Sequence, residues 1–293
     1  MVRTRILIPA LVLAVFLSLS FRGEAVEFRV LRVVKSEEFK RPVDVGVDGR
    51  GYYYVLDSEG KSVFVISPQG EIVRRVPLPA GTGKPEGIDV VRPGVFLVAD
   101  STFSALHEVG ISGRRFRKIS IKRMGRFVDV CHFGKRYFFL DGKDHVIYIV
   151  GNDGKVMRKV GDEGTKPGEF KYPYRISCDE NGRVYVSDTM NARVQVLDVD
   201  GKHIETIKRF GLAGDSFLRP AGVASYGVNR VLLTDVLSGY LLLWDGQRRE
   251  VSAATVRGKR VRFSYPASVT VSRYGDVAVV DSVAKELIIM RQL

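Results

Sequence analysis

The chain has 293 residues, 45% of them hydrophobic and 27% charged, with a formal net charge of +13. Two cysteines in that length exclude a disulfide-dense scaffold, and the chain is long enough to bury an ample core without cross-links. The basic balance points towards anionic surfaces and polymers as partners.

The N-terminus has its own pattern. Arg3 and Arg5 precede the apolar run Ile6–Phe21, and Arg22–Ala25 ends in small residues. This reads as a signal peptide, residues 1–25, cleaved near Ala25, which makes the mature chain periplasmic or secreted. An uncleaved N-terminal anchor is the alternative, although the apolar run is short for a spanning helix. The next segment, Glu27–Val34, has strand composition and precedes a series of repeats without belonging to any of them.

Six runs of strand-forming residues then end in aspartate, at Asp57, Asp100, Asp141, Asp188, Asp235 and Asp281, separated by 43, 41, 47, 47 and 46 residues. In five units a proline stands fifteen residues earlier, at Pro42, Pro85, Pro173, Pro220 and Pro266. Glycines at 70, 113, 154 and 201 mark hairpin turns after the aspartates. Each unit therefore reads as four short strands; in the first they fall near Val43–Val47, Tyr52–Leu56, Ser62–Ile66 and Glu71–Pro77. A repeat of this period built from short strands is the signature of propeller blades. The sixth unit ends with its third strand, Glu286–Met290, so the orphan strand at about 27–34 is expected to supply the fourth and close the ring. The expectation is all-β: a six-bladed β-propeller of four-stranded antiparallel blades over residues 26–293, a single domain acting as a monomer.

The fourth unit carries further information. Gly161 to Pro173 contains Gly164, Gly168 and Phe170, and Asp188 is followed by Asn191, Arg193 and Gln195. This glycine-rich lead-in, Phe-x-x-Pro and Asp-x-x-Asn-x-Arg-Val-Gln-Val resemble the repeat of the NHL family of β-propellers. Gly211 to Pro220 is a second partial match; the other units keep the aspartate, and most keep the proline. The resemblance covers roughly residues 26–293. It implies fold more than activity, because NHL-like propellers include RNA binders, protein scaffolds and a few enzymes.

The six aspartates serve the repeat and are expected to accept backbone N–H bonds in their loops. Function should appear where the repeat breaks. Two residues past the proline position, at the expected channel mouth, the units carry Asp44, Gly87, Asp129, Arg175, Gly222 and Ser268, with Glu86 and Tyr174 beside them. Asp44, Glu86 and Asp129 are weak candidates for a divalent cation at the mouth through oxygen ligands; otherwise no cofactor is expected. The connections between units are basic: Lys122, Arg123 and Arg126; Lys208 and Arg209; Lys259, Arg260 and Arg262. Equivalent positions on neighbouring blades lie about 10 Å apart, so Cys131 and Cys178 are expected to be free buried thiols. His107, His132, His145 and His203 do not converge, so histidine–zinc chemistry is not indicated. Serine-nucleophile and phosphate-loop motifs are absent from the sequence.

The leading functional expectation is a non-catalytic propeller that binds an anionic protein or acidic glycan of the cell envelope. Its candidate contacts are Asp44, Glu86, Arg126, Asp129, Tyr174, Arg175, Lys259, Arg260 and Arg262, with no DNA partner and with contact to a membrane surface open. A metal-assisted lyase or lactonase is the alternative. RNA binding suits the charge, but the export signal argues against it.

Overall fold

The computed structural model describes residues 25–121, 125–208, 217–248 and 250–293. The expected export signal lies outside them except for Ala25, as do Lys122, Arg123 and Arg209 of the basic connections. Four blades are self-contained antiparallel sheets in sequence order. The first comprises Pro42–Val47, Tyr53–Asp57, Ser62–Ile66 and Ile72–Pro77. The second, third and fourth begin with inner strands Pro85–Arg92, Phe127–Phe133 and Ile176–Cys178. The fifth begins with Pro220–Ser225 and the sixth with Pro266–Val271.

The N-terminal strand Val26–Lys35 completes the sixth blade. It runs antiparallel to Glu286–Gln292, from Phe28 opposite Gln292 to Lys35 opposite Glu286. Its first two residues also pair in parallel with Ala254 and Thr255 at the end of the fifth blade. Phe28 is buried among Leu232, Leu243, Val279 and Ile288, between the fifth and sixth blades. A single strand thus removes the open edge of the last sheet and joins the two ends of the chain.

Burial follows from the position of each strand in its blade. The second and third strands are flanked by other blades on both faces, so Tyr53–Asp57 and Ser62–Ile66 are buried throughout. Their composition is accordingly apolar on both faces instead of alternating. Outer strands such as Ile72–Pro77 and Val156–Val160 are mostly exposed. Six apolar clusters fill the spaces between blades. One packs Val45, Val55 and Phe64 of the first blade against Ala278, Val280 and Leu287 of the sixth, which closes the ring.

The repeat aspartates do more than form a local turn. Asp235 accepts hydrogen bonds from the N–H groups of Leu218 and Arg219, both at 2.7 Å, before its inner strand, and from Leu237 and Ser238 after it. Asp281 does the same with Ser264, Tyr265, Val283 and Ala284, and Asp141 with Gly125, Arg126, Lys143 and Asp144. Each buried carboxylate ties the connection between two blades to the hairpin loop within one blade. The fourth blade adds side chains. Asp188 holds Asn191, Arg193 and Gln195, while Arg193 donates to the carbonyls of Thr165, Lys166 and Glu169. The residues that resemble the NHL motif therefore order the long connection from Gly161 to Pro173.

The cysteines differ from expectation. Cys131 and Cys178 form a disulfide, with Cα atoms 5.6 Å apart. Spacing of about 10 Å applies to sheets stacked face to face; inner strands converge on the propeller axis and come much closer. Closing a loop of 47 residues stabilises the fold by about 4 kcal/mol in the chain-entropy description.

Replacing Asp235 with alanine leaves four N–H groups in two loops without their acceptor. Urea denaturation should show a loss of about 3 kcal/mol. A loss below about 1 kcal/mol would mean that water replaces the carboxylate and that the clamp is not structural.

Candidate functional site

The channel mouth is built by a backbone irregularity shared among blades. In the first, second, third, fifth and sixth blades the pairing of the inner strand slips just after the proline position, as between Pro42 and Asp44 or between Phe127 and Asp129. A bulge of this kind bends the strand and re-aims the next side chain. It does so where Asp44, Gly87, Asp129, Gly222 and Ser268 stand. Glycine is needed at Gly87, where a Cβ would come within 2.1 Å of the Asp129 Oδ1.

The mouth is a packed polar cluster. The Asp44 carboxylate accepts N–H bonds from Val45 at 2.8 Å and from Ile88 of the second blade at 2.7 Å, and a hydroxyl bond from Ser268 of the sixth at 2.5 Å. Asp129 accepts from Val130 and from Ile176 of the fourth blade, both at 2.9 Å. Both aspartates therefore tether adjacent blades. Arg175 reaches across the axis from the fourth blade. Its Nη1 donates to the Glu86 carbonyl at 2.9 Å and its Nη2 to the Val43 carbonyl at 2.6 Å, with Nε 3.8 Å from Asp44. Its guanidinium lies 4.5 Å from the ring centre of Tyr174, and Arg175 is only 2% exposed.

Burial raises the Asp129 carboxyl well above the usual aspartate range, and the charge of Asp44 adds to this; Arg175 offsets only part. Burial works against the Arg175 charge, but Asp44 and its other neighbours raise its pKa further. Burial also pushes the Glu86 carboxyl up, yet its contacts with Lys84 and Arg126 leave it lowered on balance.

The structure thus brings Asp44, Glu86, Arg126, Asp129, Tyr174 and Arg175 together. It sets Lys259, Arg260 and Arg262 apart, on a hairpin that extends the outer strand Glu250–Val256 of the fifth blade. Of the grouped residues, Arg126 is exposed, whereas Asp44, Glu86, Asp129 and Arg175 are buried. The carboxylates proposed as oxygen ligands bind backbone N–H groups and cations instead. Among the described residues no group of three His, Cys, Asp or Glu side chains could hold a metal ion.

Beneath Arg175 a cavity of about 280 Å3 runs along the axis, lined by Asp89, His132, Ser177 and Thr270 among others. The His132 Nδ1 is 2.6 Å from the Asp89 carboxylate, which also accepts the His132 backbone N–H at 2.8 Å. Partial burial opposes protonation of His132, but the Asp89 charge and hydrogen bond raise its pKa above the ordinary value of 6.5. Sequence spacing showed that His132 does not converge with the other histidines; it could not show that its partner lies on the neighbouring blade.

Sequence reasoning missed a separate cleft on the face formed by the inter-blade and hairpin loops. Tyr172, Tyr174, Met190, Arg219, Val236 and Tyr265 line a recess of about 250 Å3 over the fourth, fifth and sixth blades. The available signal was the large apolar residue two positions after the repeat aspartate in those units; Met190 lines the cleft, and Leu237 and Val283 stand at the same position in the next two units.

The comparisons agree with this architecture. Residues 121–279 match the DUF5128 family, described as a 6-bladed beta-propeller. The chain belongs to that family and is an NHL-type propeller. Human NHL repeat-containing protein 3 is 25% identical over 171 residues, 44% of this chain and 49% of that protein, so the match spans about half of the relative's length. Protein lin-41 of Caenorhabditis elegans is 48% identical over 44 residues, 15% of this chain and 4% of that protein. Among solved structures, virginiamycin B lyase of Staphylococcus aureus superposes with a TM-score of 0.68 at 10% identity, covering 91% of this chain and 100% of the lyase. A streptogramin B lyase structure gives 0.65 at 12% identity, covering 91% and 98%. At such identities the likeness shows the fold alone.

Arg175→Met should cost about 3 kcal/mol in urea denaturation, because it leaves two carbonyls and the Asp44 charge without their buried partner. Stability unchanged within 1 kcal/mol would show that the arginine does not brace the mouth. His132 should titrate by NMR with a midpoint above 6.5. Its contribution to stability is fully present below the unfolded value and is lost as pH rises through the folded value. Asp89→Asn should lower the midpoint; an unmoved midpoint would rule out the carboxylate as the cause.

Proposed function

We propose that this propeller is an extracytoplasmic binding module that captures an anionic partner of the cell envelope on the face formed by its inter-blade and hairpin loops. The observation that carries this reading is the state of Arg219, Lys259 and Arg262. They are exposed on that face, and none has an ion-pair partner among the described residues. The opposite face also carries exposed cations; there Arg50 pairs with Asp48, Arg136 with Asp200 and Arg291 with Asp276, whereas Arg183 and Arg273 have no ion pair among the described residues. Unpaired surface cations steer and hold anions without being needed for the fold. The Cys131–Cys178 disulfide supports residence in an oxidising compartment, as does the apolar N-terminal segment.

Within this reading the candidate residues divide by accessibility. Lys259, Arg260 and Arg262, together with Arg126, meet the partner. Tyr174 borders the contact surface. Arg175, Asp44, Asp129 and Glu86 hold the mouth rigid beneath it.

The double change Lys259→Glu and Arg262→Glu should reduce retention on immobilised poly-L-glutamate about tenfold at 0.1 M salt, with the melting temperature nearly unchanged. Equal retention of variant and parent would remove this face as the anion-binding surface.

A further inference from the structure

The loop face is not uniform around the ring. Just before the proline position the first three blades carry Arg41, Lys84 and Arg126, whereas the last three carry Tyr172, Arg219 and Tyr265. Two residues past the repeat aspartate the first three carry Glu59, Thr102 and Lys143, and the last three Met190, Leu237 and Val283. The second position divides the face into a polar and an apolar half, and the first follows the same line except at Arg219. The apolar side chains are well exposed: Tyr172 55%, Met190 49%, Leu237 58%, Tyr265 37% and Val283 66%, with Leu218 beside them at 48%. Phe103, in the second blade, is the exception on the polar half, and the Lys118 ammonium lies 5.5 Å from its ring centre.

These side chains stand on braced loops. Asp235 holds the N–H groups of Leu218, Arg219 and Leu237, and Asp281 holds those of Tyr265 and Val283. Tyr172 has a positive φ of 47°, a conformation that costs a bulky residue about 1–3 kcal/mol. Its ring lies 4.7 Å from His145, which also accepts the Tyr172 backbone N–H.

We infer that the tyrosine-lined recess over the fourth to sixth blades is the docking site for an extended, acidic segment of polypeptide, with one aromatic or large aliphatic side chain in the recess. This rests on the anion-binding function proposed above and names its partner. Tyrosine, methionine and arginine are the residues enriched at the centres of protein interfaces, and here they form the recess. Lys171, Arg219, Arg262 and Lys285 are exposed on the same half and offer cations to carboxylates that flank the inserted side chain. The apolar part of the lining suits an inserted hydrophobic side chain. Met190, Ala221 and Val236 offer no hydrogen bonds from their side chains, and the Thr189 hydroxyl already donates to the Pro220 carbonyl at 2.7 Å. The site is also a recess with a buried floor at Ala221, which suits an inserted side chain better than a flat lipid surface.

The test is selection of a phage-displayed library of random dodecapeptides on residues 26–293, followed by fluorescence anisotropy of the enriched peptides. Enriched sequences should place Phe, Tyr, Leu or Met next to Asp or Glu. Met190→Ser with Tyr265→Ser should weaken their binding at least tenfold, with little dependence on salt, and Arg219→Glu should weaken it in a salt-dependent way. Enrichment without that pattern, or equal binding by the Met190/Tyr265 variant, overturns the inference. So does loss of binding by that variant to phosphatidylglycerol vesicles or to polygalacturonate when the selected peptides are unaffected. If the Lys259/Arg262 variant loses poly-L-glutamate while the Met190/Tyr265 variant keeps every selected peptide, the recess is wrong and the anion-binding face stands. If the Lys259/Arg262 variant also retains poly-L-glutamate, both readings fail.

Discussion

The buried carboxylate at the end of each second strand is the interaction on which the rest of this molecule depends. A propeller blade is regular in its strands and irregular in its connections, and polar backbone in those connections must find partners once it is packed near the axis. One aspartate satisfies N–H groups from two loops that are far apart in sequence, at Asp235 from Leu218 to Ser238. The clamp fixes where one blade hands over to the next, and so fixes the loop face. Burial alone would penalise such a charge. Several short hydrogen bonds to the ionised form offset that penalty.

The axis is organised by the same principle at higher charge density. Asp44 and Asp129 each bond to an amide of the following blade, and Arg175 spans the axis to carbonyls of the first and second blades. This converts a site that looks reactive in sequence into a brace. A ring of carboxylates facing solvent could recruit a cation; here an internal guanidinium already occupies the centre. The groups left exposed are at the periphery of the loop face, where the clamps hold apolar and basic side chains in place.

Closure follows from a different constraint. The N-terminal strand pairs with the last blade, and Phe28 enters the core between the fifth and sixth blades. The disulfide adds a second tie between the third and fourth blades.

The number of blades, their strands and the closing segment were legible in the chain because aspartate, proline and glycine recur at fixed offsets, and each has a local conformational reason to stand there. The resemblance at Asp188, Asn191 and Arg193 was legible for the same reason, since those residues meet within one blade. What sequence could not show was distance across the axis. Cys131 and Cys178 looked too far apart, Arg175 looked available to a ligand, and Asp89 and His132 belonged to different repeats. Convergence of six inner strands on one line decided all three. The division of the loop face into a polar half and an apolar half was written in the repeat positions, but only the closed ring places Tyr172, Tyr174 and Tyr265 around one recess, because residues of three successive blades become neighbours when the blades are arranged about a common axis.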